Sequence, residues 1–165
     1  MRKRLAFLSV SSVLVLAGLT TQSTAQTAFV DVPSCHWATE AINQISGETS
    51  VTPAQNANTA ANAFRQVFEG MKCADPNWTL QFIQNAPESL RALIAGDPLK
   101  GFNLANVTAT VSSNTAKVNF KLNITLKNGL NVARTGNAQL VADKKTAWKV
   151  AYSSLSALNL PVFPK

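Results

Sequence analysis

The sequence predicts an α+β fold, with helices in its first half packed on a curved antiparallel meander of three to four strands. Two observations carry that expectation. Apolar residues recur at helical spacing from Trp37 to about Ile94, and from about Leu104 the apolar period falls to two. Turn residues then separate the alternating runs at short intervals.

Trp37, Ala38, Ala41, Ile42 and Ile45 form a first helical stripe. Thr52 followed by Pro53 reads as a helix start, a capping hydroxyl ahead of a proline in the first helical position. Ala57, Ala60, Ala61, Phe64, Val67, Phe68 and Met71 continue that second helix. Asp75-Pro76 and Pro87-Glu88 open two shorter ones, and Gly96 terminates the latter. Val107, Ala109 and Val111 alternate with polar residues, as do Val118, Phe120, Leu122, Ile124 and Leu126, which describes strands with one wet face. Asn128-Gly129 supplies a tight hairpin turn, since both residues tolerate positive φ. Leu130 to Val141 follows as a strand, Asp143-Lys144-Lys145 turns again, and Ala147 to Ser153 closes with Trp148, Val150 and Tyr152 on one side.

The amino terminus fixes the expected compartment. Arg2, Lys3 and Arg4 precede a mostly apolar Leu5–Leu19, and Ser23-Thr24-Ala25 offers the small residues that a signal peptidase reads. The apolar run is shorter than the roughly 20 residues that span a bilayer. Export with cleavage after Ala25, to the periplasm, cell envelope or exterior, is therefore expected, with no stable membrane span afterwards. Cleavage removes three of the 15 basic residues and leaves 12 against eight acidic ones, a formal charge of +4 rather than +7. The remaining bases are spread rather than clustered, mostly in the second half and without interleaved aromatics on an exposed face, which disfavours nucleic acid as a partner. A mild attraction to anionic wall polymer is consistent with that charge.

Two cysteines, Cys35 and Cys73, remain after export. An even pair in a small secreted chain favours a disulfide. If the first two helices pack antiparallel, the start of one lies beside the end of the other, and the two thiols meet. A bridge closing that loop contributes about 4 kcal/mol on the chain-entropy model. A redox or metal site lacks the Cys-x-x-Cys spacing or a second ligand cluster.

Phe29-Val30-Asp31-Val32-Pro33, then His36-Trp37-Ala38 and Ala41-Ile42, resembles the opening of an S-layer homology domain. That resemblance covers Phe29 to Ile42 and implies association with the cell envelope, with Asp31, His36 and Trp37 as the envelope-binding residues and a cell-wall polymer or envelope protein as partner. Further on, a long amphipathic helix, short helices and long strands at Thr115–Leu126, Leu130–Val141 and Trp148–Tyr152 resemble the NTF2-like cone fold over about Thr52 to Leu155. In that family the sheet wraps the helices and can enclose a pocket. The organisation expected is thus a signal peptide over 1–25, an S-layer-homology-like segment over 26–51, an α+β domain over 52–155 and a tail over 156–165.

Catalytic constellations are not legible. The eight acids form no local pair on one face, His36 is the sole histidine, no serine sits in a Gly-x-Ser-x-Gly turn and phosphate-cradling glycine loops are absent. No cofactor or metal is expected. Arg134 shares strand parity with Leu130, Val132, Ala138 and Leu140, so it either meets an anionic ligand inside a pocket or snorkels to the rim. Two functions follow. One is a non-catalytic envelope protein whose second domain makes protein or ligand contacts. The other is a small-ligand-binding or enzymatic cone protein, with Arg134, Trp148 and Tyr152 at the pocket. A filled aliphatic interior favours the first and a deep polar pocket the second.

Overall fold

The computed structural model describes residues 54–165, and within them the fold is α+β. The first stripe of apolar residues, Asp31, His36, Trp37 and Cys35 all lie outside the described residues. Helix α1 (Ala57–Lys72) begins four residues beyond Pro53, not at Thr52. Asn56 is its cap: the Asn56 side chain accepts from Thr59 N, and the Thr59 hydroxyl accepts from Asn56 N, both at 3.0 Å. This reciprocal box satisfies two orphan donors at once, which a proline further upstream does not.

The other end of α1 is closed by Cys73 as cap, followed by Ala74 in the left-handed region at φ 52°. Asp75 N donates to Gly70 O and Ala74 N to Met71 O, the paired bonds of a Schellman turn. The chain then enters α2 (Pro76–Gln81), where the Asp75 carboxylate accepts from Trp78 N at 2.9 Å and Pro76 takes the first turn, as its sequence suggests. This tight reversal folds α2 back on α1. Trp78 Nε1 donates to Gln66 Oε1 across the contact, and Thr79 is fully buried with its hydroxyl on Asp75 O.

Gly70 is the point of closest approach. A Cβ there would collide with the Thr79 hydroxyl and lie 3.0 Å from Trp78 Cδ1. Gly70→Ala is expected to destabilise by about 1 to 3 kcal/mol through overpacking, despite alanine's better helix propensity. Chemical denaturation checks this; a more stable variant would show that the helices separate freely.

After β1 (Ile83–Gln84), α3 spans Glu88–Ala95. Gly96 does terminate it, but at φ −74°; the left-handed residue is Asp97, at φ 53°. Asp97 then holds Lys127 at 2.9 Å, tying the helix exit to the β-hairpin.

The sheet has five strands, in order β1, β5, β4, β3, β2, rather than three or four. The long ones are β2 (Leu99–Ser112), β3 (Thr115–Leu126) and β4 (Asn131–Asp143), all antiparallel, and β5 (Ala147–Ala151) pairs antiparallel with the end of β4. The additional strand is β1, two residues running parallel to β5, with Ile83 opposite Val150. A two-residue parallel pairing leaves no periodic trace in sequence.

Strand β3 alternates as its sequence does. Ala116, Val118, Phe120, Leu122, Ile124 and Leu126 are buried, whereas Lys117, Asn119, Lys121 and Asn123 face water. At the turn Gly129 adopts φ 84°, Leu126 N donates to Leu130 O, and Asn128 Oδ1 accepts from Leu130 N. Helix α1 lies against the inner face. Phe64 stacks on Phe120 at 4.4 Å between centroids, and Phe68 meets Phe102 at 5.6 Å and Phe163 edge-on at 5.9 Å.

The chain leaves the sheet sooner than alternation suggests. Tyr152 belongs to α4 (Tyr152–Ser156), not to a strand running to Ser153. In the tail over 156–165, Leu160, Val162 and Phe163 are buried in the core.

The turn between β4 and β5 is built on Asp143. One carboxylate oxygen accepts from Lys145 N, Thr146 N and the Thr146 hydroxyl, and the other lies 3.3 Å from Lys149 Nζ. Burial acts to raise the Asp143 pKa, but these donors together outweigh it and hold the pKa below the ordinary value. A depressed folded-state pKa adds stability above the unfolded value of about 4, and that stability disappears as pH falls through the folded pKa. Asp143→Asn is therefore expected to cost about 1 to 2 kcal/mol at neutral pH. Its melting temperature should fall less steeply than the wild type's below pH 4. Parallel acid-limb slopes would remove Asp143 from the account.

Candidate functional site

Arg134, Trp148 and Tyr152 do not line one cavity. Trp148 sits on β5 opposite Ala142, fully buried, and its Nε1 donates to the Thr59 hydroxyl at 3.1 Å. Tyr152 is half-buried at the start of α4; its hydroxyl donates to Pro164 O at 2.6 Å and its ring lies edge-on to Phe163. Burial raises its pKa. These two side chains hold the last strand and the carboxyl-terminal segment against the core.

Arg134 is placed differently. Its partner across the ladder is the inward-facing Leu122, yet Arg134 is exposed, because β5 is too short to continue beside it. Its guanidinium reaches the rim. Nε donates to Leu158 O at 3.0 Å, Nη1 to Ala133 O at 2.9 Å and Nη2 to Asn159 O at 3.4 Å. It thereby caps the turn that follows α4. Three of its five N–H groups are used, and no carboxylate pairs with it among the described residues.

Beside Arg134 the structure has a cleft of about 560 Å³, lined by Thr135, Gly136 and Asn137 on one wall and by Ser153, Ser154, Ala157, Leu158 and Asn159 on the other. Its origin is a mismatch of lengths. Strand β4 has 13 residues and β5 only five, so the first half of β4 is paired with β3 on one side and has no strand on the other. Helix α4 and the 157–159 turn stand off from that half, and the cleft is the gap. Apart from Arg134, sequence reasoning missed these residues. The signal was present in the unequal runs on either side of the Asp143 turn, but its meaning depended on where β5 stops.

The interior of the domain is filled by the packed side chains of α1, the sheet and the carboxyl-terminal segment. No group of three or more His, Cys, Asp or Glu residues able to hold a metal occurs among the described residues. Cys73, at the end of α1, is disulfide-bonded; its expected partner Cys35 lies outside the described residues. No helix of the described residues is long and apolar enough to cross a membrane.

No family model matches the chain, and no curated protein does. Among solved structures, the crystal structure of a SEC-C motif containing protein from Psychrobacter arcticus is similar over 60% of this chain and 62% of that one, with 19% identity and a TM-score of 0.42. The chain therefore spans less than two thirds of that protein's length.

Proposed function

We propose that the protein is an exported, non-catalytic cell-envelope protein. Its S-layer-homology-like segment, through Asp31, His36 and Trp37, associates with a wall polymer or envelope protein, and its α+β domain makes contacts with other molecules. The observation that carries this reading is the occupied interior. Trp148 and Tyr152, the aromatic groups best placed to line an internal pocket, are engaged by Thr59, Pro164 and Phe163. That favours a binding scaffold over an internal active site. The NTF2-like reading is retained as part of the proposal, supported by a long helix packed on β2, β3 and β5 of a sheet whose four longer strands are antiparallel. Pairing of Cys73 with Cys35 belongs to it as well, and would fasten the amino-terminal segment to the end of α1.

The test is retention of the full chain, after export, on purified sacculi with and without their secondary polymer. Polymer-dependent retention that falls on substituting Asp31, His36 or Trp37 is expected. Absence of retention, or retention indifferent to the polymer and to those residues, would overturn the reading.

A further inference from the structure

We propose that the cleft beside Arg134 receives an extended peptide segment of a partner protein, which adds as a strand to the open edge of β4 and presents a carboxylate to Arg134. The inference rests on the reading of this domain as a binding module and names the site that would do the binding.

The backbone pattern supplies the first observation. Leu126 N donates to Leu130 O and Ala142 N to Asn114 O, so in the unbroken register between β3 and β4 the even-numbered residues of β4 bond toward β3. Odd-numbered residues consequently direct N–H and C=O away from β3. At Val141 and Asp143 those groups meet β5, and Gln139 N is taken by the Ser154 hydroxyl at 3.0 Å. Ala133 O is occupied by Arg134. Thr135 and Asn137 are left with both backbone groups aimed into the cleft, and no described residue bonds them there.

Two residues i and i+2 on an open edge offer two N–H and two C=O groups at the spacing of an extended chain, about 7 Å. That pattern is matched by another strand, whereas a sugar ring does not repeat it. Exposed edges in natural proteins are usually blunted by lysine, proline or a bulge. Strand β2, at the other side of the sheet, follows that rule with two irregularities of register and with Asn106 at φ 52°. Residues 133–137 of β4 carry no lysine, proline or bulge, and their one charged side chain, Arg134, is turned to the carbonyls of Leu158 and Asn159. The opposite wall presents the hydroxyls of Ser153 and Ser154, and Arg134 stands at the end with two N–H groups and an unneutralised charge. Charge complementarity thus selects a peptide with an acidic residue or a terminal carboxylate.

Amide exchange and chemical-shift mapping of the full chain test this directly. In the free protein Thr135 and Asn137 amides should exchange fast while Gly136 and Ala138 are protected. Acetylated pentapeptides of alternating β-branched and polar residues ending in glutamate are the probe, with a hexamer of N-acetylglucosamine as comparison. Saturable shifts at Thr135 and Asn137 on adding peptide are expected. Asn137→Pro, which removes one edge donor without touching the β3 ladder, should lower affinity about tenfold, whereas Asn137→Ala should stay within about threefold. If Asn137→Pro fails to fold, Thr135→Pro takes its place. Shifts from the sugar but not the peptides, no shift from any peptide, or unchanged affinity in the proline variant would overturn the proposal. Sacculus retention measured on the same proteins separates the two readings, because its loss in the wild type sinks envelope association and leaves peptide binding standing or falling by itself.

Discussion

Phe163→Ala is expected to lower the stability of the protein by about 3 to 5 kcal/mol, although only Pro164 and Lys165 follow it in the sequence. The ring is fully buried, edge-on to both Phe68 on α1 and Tyr152 on α4. Leu160 and Val162 are buried with it, and Phe163 N closes a turn onto Leu160 O. Ending the chain after Asn159 removes all three apolar side chains and the carbonyl that receives the Tyr152 hydroxyl. A loss of that size approaches the whole stability of an ordinary domain, so the truncated chain should not unfold cooperatively in urea. A cooperative transition at an unchanged midpoint would mean that the segment merely rests on the surface. A ligand entering the core from this side would have to displace Phe163.

The features legible in advance are those set by neighbours in sequence. The strict alternation from Ala116 to Leu126, the Asn128-Gly129 turn and the Asp75-Pro76 helix start each report a local geometry that the same few residues impose. Most of what escaped notice depends on partners far along the chain. The Asn56–Thr59 cap is itself local and was passed over for Thr52-Pro53, but Thr59 is held in turn by Trp148, 89 residues away. Tyr152 kept strand parity with Trp148 and Val150, so alternation could not reveal that β5 ends at Ala151. Burial of Leu160, Val162 and Phe163 depends on distant partners, such as Phe68 on α1 for the Phe163 ring, that no local pattern encodes.

The candidate site divides in the same way. Arg134 was identified as an inward-facing arginine from its parity, and the register with Leu122 agrees. Its fate at the rim follows from the short β5, which lets the side chain reach the carbonyls of Leu158 and Asn159. Thr135 and Asn137 stood on what looked like an ordinary wet strand. Their distinction lies in the backbone, and backbone groups become available only where a neighbouring strand stops.

Trp148→Ala is expected to cost about 3 to 5 kcal/mol, and the way in which that cost divides distinguishes structure from ligand binding. The indole is wholly buried and its N–H is bonded to the Thr59 hydroxyl, which also accepts from Asn56 N and donates to Ala54 O. One hydroxyl therefore joins the start of α1 to the last strand. Trp148→Phe keeps most of the apolar contact and loses the bond, for an expected loss of about 1 to 2 kcal/mol. Thr59→Val removes the capping box as well and should cost a similar amount. Because both substitutions break the same bond, the double variant should lose about 1 kcal/mol less than the two single losses combined. Urea denaturation of the four proteins measures that coupling. Additive losses would show that the bond contributes nothing. If Trp148→Ala leaves stability intact, the indole is not a structural group, and an internal ligand site at β5 becomes the better reading of the domain.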